Sequence, residues 1–382
     1  MECAEGSCFP DVGAHGMATP GASRAVAKRT GLSMKVALVT DAWFPQVNGV
    51  VTTLNQTATQ LRYLGHEVRM VTSEGRASIP CPTYPEIRLT LSPKRRIGRT
   101  LNAFLPDAVH IATEGPLGLA ARNWCRQQDW IFTTSFHTRF PEYVAARFPV
   151  PVSWGYAYLR WFHGAADHIM VSNAALAQEL RERGLGRLCL WPRGVDGELF
   201  RPLPEEERLA YLPGPRPAFV NFGRVAVEKN VEAFLSLDLP GSKHVIGDGP
   251  LRANLQRRYP EVHFLGLMRG ETLARHLASA DVMVFPSRTD TLGLVLYEAN
   301  ACGVPVAAYP VVGPQTVVEN GINGYLDEDL GKAALAALSV SRDACRTAAL
   351  AHDWRRCTEI FASLLVPARP DSLNAFPRQD VV

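Results

Sequence analysis

Two cations follow an apolar run near residue 220, in the sequence AFVNFGRVAVEKN: Arg224 and Lys229. The run AFVNF is typical of a buried strand, and in open parallel sheets ligands bind beyond the carboxyl ends of the strands. An arginine binds phosphate oxygens through its planar fork, and a lysine adds a compact charge. The pair predicts a diphosphate site, with two solvated surface charges as the alternative.

A loop that combines acids with a glycine follows the apolar run DVMVFPS and reads RTDTLGLVLYEANACGVPVAA. Asp290 lies near the strand end, Thr291 and Leu292 follow it, and Gly293 permits close backbone contact. Glu298 comes about two helical turns later, on the ensuing helix. Because a carboxylate accepts hydrogen bonds from two hydroxyls at once, these acids suit sugar and ribose hydroxyls. The alternative for an acid near a helix start is capping or stabilisation of the helix dipole.

Gly49 lies in DAWFPQVNGVVTTL, directly after the first apolar run, KVALV. A glycine there allows close backbone approach, and the N-terminus of the following helix offers free N–H groups to a phosphate. A simple turn glycine is the alternative. The loop is not a GxGxxG fingerprint, which argues against an NAD-dependent dehydrogenase.

The elements that must position these loops alternate along the chain between short β-rich runs and amphipathic helices, which is typical of parallel α/β sheets. The polar, Pro-rich stretch 197–217 interrupts the alternation and is interpreted as a linker. We therefore predict an N-terminal domain over 34–200, a C-terminal domain over 217–345, and a C-terminal helix over 346–366 that packs back towards the first domain. Ser172 is the predicted N-cap of the helix AALAQELRERG, and residues 1–33 are predicted to be a disordered tail without a signal peptide.

Composition limits the function classes further. A net charge of +3 over 382 residues is too weak for a dedicated nucleic-acid binder. The eight cysteines are scattered without the spacing of a zinc site, so we expect free thiols and no metal. No stretch approaches the roughly 20 apolar residues of a spanning helix. We expect a cytoplasmic protein that touches the inner face of a membrane peripherally at most.

The ordered motifs FPQVNGV, SFHTRFPEY, GRVAVEKN, VIGDGP, PSRTDTLGLVLYEANACGVPVAA and GPQTVVENGINGYL resemble the retaining glycosyltransferases of family 4. Among these the chain is most similar to bacterial lipid glycosyltransferases and GDP-mannose-dependent α-mannosyltransferases. The resemblance implies an α/β GT-B fold, in which two Rossmann-like domains face each other across a cleft. It also implies a nucleotide-diphosphate sugar as donor and no cofactor.

The resemblance assigns a role to each candidate residue. It places Gly49 on the donor phosphate, Arg224 and Lys229 on the diphosphate, and Glu298 on the ribose. Asp290 would bind the transferred sugar at a position where the family usually has Glu. His137, at the end of the run WIFTTSF, corresponds to a family histidine near the reacting sugar, where an imidazole can stabilise a charged transition state.

The acceptor is predicted from two basic and aromatic stretches, SPKRRIGRTLNAF and FPEYVAARFPVPVSWGYAYLRWFHG. Such segments suit an anionic membrane surface, and a lipid or glycolipid acceptor such as diacylglycerol follows. Aromatic side chains in the core and solvated arginines are the alternative. Glu114, Gly115 and Arg139 are predicted to line the acceptor side.

Three other classes compete with a transferase: a sugar-nucleotide epimerase of the same fold, a non-enzymatic nucleotide-binding module, and a dehydrogenase. The paired loops match transferase motifs more closely than those of an epimerase. A binding module would not need His137 and Asp290. The acidic run Asp327, Glu328 and Asp329 is interpreted as a solvated turn rather than a metal site.

Overall fold

A computed structural model describes residues 33–46, 48–75, 77–81, 84–90, 94–145 and 148–376. The predicted tail lies outside these residues apart from Ser33. The chain divides into two compact units. Unit 1 contains the described residues up to His137, then Val150–Pro192 and the residues from Thr358, whereas unit 2 contains Thr138–Pro149 and Arg193–Cys357.

The strands of the described residues are β1 (Lys35–Val39), β2 (Glu67–Val71), β3 (Ser78–Cys81), β4 (Tyr84–Thr90), β5 (Ala108–Ile111), β6 (Thr133–Ser135), β7 (Ile169–Val171), β8 (Leu188–Leu190), β9 (Ala218–Phe222), β10 (Ser242–Ile246), β11 (His263–Gly266), β12 (Val282–Phe285), β13 (Val306–Ala308) and β14 (Gly324–Leu326).

The α-helices of the described residues are α1 (Gly49–Tyr63), α2 (Lys94–Phe104), α3 (Pro116–Gln127), α4 (Phe140–Ala145), α5 (Val152–His163), α6 (Ala174–Glu182), α7 (Glu205–Arg208), α8 (Val231–Leu235), α9 (Arg252–Arg258), α10 (Gly270–Ala278), α11 (Leu294–Ala301), α12 (Val312–Val317), α13 (Leu330–Ala337), α14 (Arg342–Leu350) and α15 (Trp354–Ser363). Short 3-10 turns cover Val227–Lys229 and Pro370–Ala375.

Unit 1 is built on a six-stranded parallel sheet in the order β2-β1-β5-β6-β7-β8. Side chains of α2, α3 and α5 form one core cluster with the sheet, and α1 and α15 contribute to the other. Strands β3 and β4 form a separate antiparallel pair that the apolar pattern did not predict. Successive strands diverge on either side of the β1–β5 pair, which makes this pair the switch point of the sheet.

Unit 2 repeats the plan with the parallel order β11-β10-β9-β12-β13-β14. One core cluster contains α10 and α11 side chains, and the other contains side chains of α8, α9 and α13. The switch point here is the β9–β12 pair. Both predicted donor loops, after AFVNF and after DVMVFPS, therefore leave the sheet at the place where a crevice opens in such folds.

The chain passes between the units four times, at 137/138, 149/150, 192/193 and 357/358. The stretch 197–217, interpreted from sequence as a linker, lies within unit 2. Its apolar residues Phe200 and Leu212 are buried in the unit 2 core, so this stretch is part of the fold rather than a free connection.

Two helices occupy the C-terminal segment where one was predicted. Helix α14 packs in unit 2 against α11, and α15 begins after a break at residues 351–353. Asp353 causes the restart, because its carboxylate accepts hydrogen bonds from the N–H groups of Arg355 and Arg356. Beyond Cys357 the chain belongs to unit 1, where Phe361 is fully buried.

Two helix starts also differ from the predicted ones. Asn173, and not Ser172, is the N-cap of α6, because its side-chain oxygen accepts the Leu176 N–H at 2.8 Å. The apolar spacing of LNQTATQLRYLG predicts a helix from Leu54, whereas α1 begins at Gly49 because Asn48 caps it. In both cases an asparagine in extended backbone satisfies amides that would otherwise lack a partner.

Candidate functional site

Lys229 and Asp290 meet at the switch point of unit 2. Lys229 ends the 3-10 turn after β9, Asp290 lies in the loop after β12, and the Lys229 Nζ–Asp290 Oδ1 distance is 2.5 Å. The two side chains are only 25% and 15% exposed. Burial disfavours the ammonium form, but Asp290 and Tyr143 more than compensate, so the pKa of Lys229 is raised. Lys229 is therefore a fixed cation at the carboxyl ends of strands β9 and β12.

Asp290 uses one carboxylate oxygen for Lys229, and its other oxygen lacks a hydrogen-bond partner among the described residues. This second oxygen, Oδ2, is buried. A buried carboxylate oxygen normally has a donor. A sugar hydroxyl is a donor of the right kind.

Several hydrogen bonds hold the two loops in register. Asn230 Nδ2 donates to the Pro286 carbonyl at 3.1 Å, and the hydroxyls of Ser287 and Thr289 donate to the Glu228 carbonyl at 3.3 and 3.1 Å. The position of Lys229 against Asp290 therefore rests on more than the ion pair itself.

Glu298 lies on α11, the helix that the glycine loop opens. Gly293 has φ +92°, a conformation that favours glycine, and α11 starts at the next residue. Leu292 is buried, and Thr291 is half-buried. Burial raises the pKa of the half-buried Glu298 to about 7, and this carboxyl group makes no ion pair among the described residues. A carboxyl with spare hydrogen-bonding capacity fits a ribose diol.

Arg224 lies two residues beyond β9 and is half-buried. It follows the same strand as Lys229, so both predicted cations belong to one loop. Tyr143 was not predicted. It lies on α4, which the chain contributes to unit 2 from its N-terminal half, and its hydroxyl hydrogen-bonds Thr289 beside Lys229 and Asp290. Burial raises the pKa of Tyr143. Arg139 lies in the same stretch of unit 2.

Gly49 is the first residue of α1, at the switch point of unit 1. Asn48 Oδ1 accepts hydrogen bonds from the Val50 and Val51 N–H groups at 3.1 and 3.0 Å. The Asn48 side chain thus occupies two amides that the sequence suggested for a phosphate. The role of Gly49 itself stays a prediction.

Asp41 joins the two loops of the same switch point. Its carboxylate accepts hydrogen bonds from the Thr113 hydroxyl at 2.9 Å and from the Leu117 and Gly118 N–H groups at 2.8 and 3.3 Å. Burial raises the pKa of Asp41 against the lowering effect of these bonds. A Cβ on Gly115 would lie 2.6 Å from this carboxylate, so Gly115 keeps room for the anion that caps α3.

Glu114 is buried beside this cap. Its Oε1 atom lies 3.1 Å from Nε2 of His163, whose Nδ1 contacts the Thr134 hydroxyl at 2.9 Å. Its backbone carbonyl accepts the Tyr158 hydroxyl at 2.6 Å. His137, half-buried at the end of β6, contacts the Ser135 hydroxyl through Nε2 at 2.8 Å. The acceptor roles of Glu114, Gly115 and Arg139 and the donor role of His137 stay predictions.

Two family models match the chain, those of Glycosyltransferase Family 4 over residues 47–199 and Glycosyl transferases group 1 over residues 216–343. A GDP-mannose-dependent alpha-mannosyltransferase of Mycobacterium tuberculosis is 30% identical over 77% of this chain and 83% of the relative. The sulfoquinovosyl transferase of Arabidopsis thaliana is 32% identical over 74% of this chain, which spans 61% of that relative's length. The chain belongs to glycosyltransferase family 4.

A more distant relative and a solved structure are also similar to this chain. An alpha-monoglucosyldiacylglycerol synthase of Streptococcus pneumoniae is 24% identical over 81% of this chain and 79% of the relative. The sucrose-phosphate synthase structure from Thermosynechococcus elongatus matches with a TM-score of 0.68 at 22% identity, over 87% of this chain and 98% of that chain. This likeness shows the GT-B fold, and the predicted fold class is confirmed.

The basic and aromatic stretches of this glycosyltransferase divide between core and surface. On α5, Tyr156, Leu159 and Phe162 are buried, whereas Trp154 is 68% and Trp161 50% exposed. On α2, Ile97 and Leu101 are buried and Arg96 and Arg99 are exposed. The Arg122 guanidinium lies 3.9 Å from the Trp161 ring centroid. Within the described part of the chain, no helix is long and apolar enough to cross a membrane.

The acidic run after β14 starts a helix. Asp329 caps α13 by accepting the Lys332 N–H at 3.1 Å, and Asp327 pairs with the Lys332 ammonium at 3.1 Å. Glu328 pairs with Arg288 at 2.9 Å. These contacts account for the run as a cap and surface ion pairs.

Proposed function

We propose that this family 4 glycosyltransferase transfers a hexosyl group from a nucleotide-diphosphate sugar, GDP-mannose or a UDP-sugar, to a hydroxyl of a lipid or glycolipid such as diacylglycerol. The anomeric configuration is retained and no metal takes part. The single observation that carries the proposal is the Lys229–Asp290 pair at the β9–β12 switch point, where the second Asp290 oxygen is buried without a hydrogen-bond partner among the described residues.

The two residues of the pair bind different parts of the donor: Lys229 binds the diphosphate and Asp290 binds the transferred sugar. Lys229 and Arg224 neutralise the diphosphate, which becomes more negative as the glycosidic bond breaks. Asp290 accepts a hydrogen bond from the transferred sugar, and Glu298 accepts those of the ribose. Because two cations already offset the charge of the leaving group, the proposed reaction does not depend on a divalent ion. The departing diphosphate then guides the acceptor hydroxyl to the face it leaves, which retains the configuration.

The acceptor class is supported by the exposed tryptophans of α5 and by the relatives. Trp154 and Trp161 offer the amphipathic rings that enter a headgroup layer, and exposed arginines of α2 offer charges for anionic lipids. One relative is named for diacylglycerol and another for GDP-mannose. Membrane contact is peripheral in this proposal, at the cytoplasmic face.

The test combines binding with transfer. The purified protein is heated with UDP, GDP, ADP or NAD at equal concentration, since a ligand at 100 times its dissociation constant stabilises a fold by about 2.7 kcal/mol. The matching sugar nucleotide is then incubated with diacylglycerol in anionic vesicles, with and without EDTA, and the anomeric proton of the product is assigned by NMR. We expect stabilisation by GDP or UDP and an α-linked lipid product that survives EDTA. Stabilisation by NAD alone, or a β-linked product, contradicts the proposal.

A further inference from the structure

A chain of polar side chains in unit 1 ends at His137. Thr133 Oγ1 contacts His110 Nδ1 at 2.9 Å, His110 Nε2 contacts Ser135 Oγ at 3.0 Å, and Ser135 Oγ contacts His137 Nε2 at 2.8 Å. The first three residues are fully buried, and His137 is half-buried at the carboxyl end of β6. The chain therefore connects the interior of the sheet to the edge where ligands bind.

The alternation of β6 produces this arrangement. Thr133 and Ser135 point to one face, towards His110 on the paired strand β5, and Thr134 points to the other, towards His163. A strand with three hydroxyl residues in a parallel core would otherwise bury unsatisfied groups. Histidines on both faces supply their partners.

Aromatic rings confine the imidazoles from the side. The His110 ring meets Trp191 and Phe361 edge-on, with centroids 5.9 and 5.0 Å away, and the His137 ring meets Trp191 at 5.8 Å. Such packing restricts where each ring sits but does not choose which nitrogen carries the proton. The Thr133 and Ser135 hydroxyls, which contact the ring nitrogens, can bias that choice.

The Ser135 hydroxyl has a single proton, so the two histidines are coupled. If Ser135 donates to His137, it accepts from His110 Nε2–H, and the proton of a neutral His137 lies on Nδ1. If His137 donates through Nε2–H, Ser135 accepts from it and its own proton can be donated to His110, whose proton then lies on Nδ1. A positively charged His137 fits only the second order. The His137 ring can thus gain or lose a proton without moving, because the Ser135 hydroxyl changes from donor to acceptor in its hydrogen bond with Nε2.

We propose that Ser135 and His110 are positioning residues for His137, which hold its imidazole through Nε2 and set its tautomer. This inference rests on the proposed function, because His137 is predicted from the sequence to lie near the reacting sugar of that transfer. Ser135→Ala removes the link and leaves the ring packing. His110→Phe keeps an aromatic ring against Trp191 and Phe361 but also breaks the chain.

The matched control is Ser242→Ala in unit 2. Ser242 is also buried on a strand and its hydroxyl also contacts a buried histidine, His244 Nε2, at 2.9 Å. It belongs to no part of the proposed site. Both alanine variants therefore lose a buried serine–histidine hydrogen bond, and Ser135→Ala also loses the contact with His137.

Two measurements separate this inference from the proposed function. With the donor and acceptor of the transfer assay, Ser135→Ala and His110→Phe are expected to lower kcat about 10- to 100-fold with the KM for donor within about twofold, the loss that a misplaced catalytic group causes. Ser242→Ala is expected to keep the wild-type kcat. Independently of activity, the 15N shifts of the His137 ring, assigned by their loss in His137→Gln, are expected to show a different tautomer population in Ser135→Ala.

Unchanged His137 15N shifts in Ser135→Ala overturn the inference even if transfer falls. Equal losses of kcat in Ser135→Ala and Ser242→Ala overturn it as well, because they indicate a general loss of stability. If the wild-type protein transfers no sugar from any donor tested, the proposed function fails, and the 15N shifts still decide whether Ser135 sets the state of His137.

Discussion

At the scale of single residues, Asp290 binds Lys229 through one oxygen, and its buried second oxygen has no hydrogen-bond partner among the described residues. Lys229→Ala is expected to lower kcat/KM at least about 100-fold, because loss of one charge-assisted contact to a developing anion costs on the order of 3 kcal/mol. Steady-state transfer assays measure the effect. Lys332→Ala removes an exposed ion pair of the same type and is expected to have wild-type turnover. Near-normal turnover of a well-folded Lys229→Ala protein contradicts the assigned role.

The half-buried Glu298 predicts a pH dependence of stability. Its pKa is about 7 in the folded protein against an ordinary value of 4.5, so between these values the folded state holds a proton that the unfolded state has released. Stability therefore falls as pH rises through this window. Relative to Glu298→Gln, the wild type is expected to lose up to about 3 kcal/mol of unfolding free energy between pH 4 and pH 8, less what partial exposure screens.

Urea unfolding of both proteins across this pH range measures the difference. Glu319→Gln, at an exposed carboxylate of unit 2, serves as the control and is expected to follow the wild type. If the free energy of unfolding changes equally with pH in the wild type and in Glu298→Gln, the raised pKa of Glu298 is contradicted.

At the scale of elements, α5 presents its apolar face inward and two tryptophans outward. Trp154→Ser is expected to reduce, about several-fold, the fraction of protein that floats with anionic vesicles, because a ring at the headgroup level contributes apolar area to membrane binding. Tyr63→Ser on α1, where the side chain is 82% exposed, is the matched control. Equal flotation of the wild type, Trp154→Ser and Tyr63→Ser argues against α5 as the membrane contact.

Some of the strands and helix starts could be predicted from the sequence, and others could not. Strands such as KVALV and VMVF were predictable because parallel strands buried on both faces leave continuous apolar runs. The pair β3–β4 and the short β14 were missed, since none of these strands lies in a continuous apolar run. Helix starts were displaced where asparagine was the actual cap, and the break before α15 depends on Asp353, which also bridges to Val195.

In the candidate site, too, some features could be predicted from the sequence and others depend on the fold. That Lys229 and Asp290 belong to ligand loops followed from their place after apolar runs. Their direct contact did not, because it joins residues 61 positions apart and depends on the adjacency of β9 and β12. Asp41, His110 and Tyr143 were missed for the same reason: each acts through a partner from another element. A polar residue directly after a buried strand, such as Asp41, was the available signal.

At the scale of the whole molecule, the four donor residues named in the proposed function, Arg224, Lys229, Asp290 and Glu298, belong to unit 2. Hydrogen exchange with and without the stabilising nucleotide is expected to slow most in 223–230 and 286–301, because bound ligand suppresses local opening of the loops it contacts. Strand β7 and helix α6 of unit 1 are expected to exchange as before and serve as the internal reference. Protection confined to unit 1 is the result that contradicts the assignment.

The discontinuity of unit 2 restricts how such enzymes can be recombined. A hybrid gene joined only at 192/193 and 357/358 takes residues 193–357 from a relative but keeps residues 138–149 of this protein. Tyr143 from that stretch would then face foreign residues in place of Lys229, Thr289 and Asp290. Hybrids that exchange both 138–149 and 193–357 keep the native contacts of Tyr143. The two separate segments of the gene therefore have to be exchanged together.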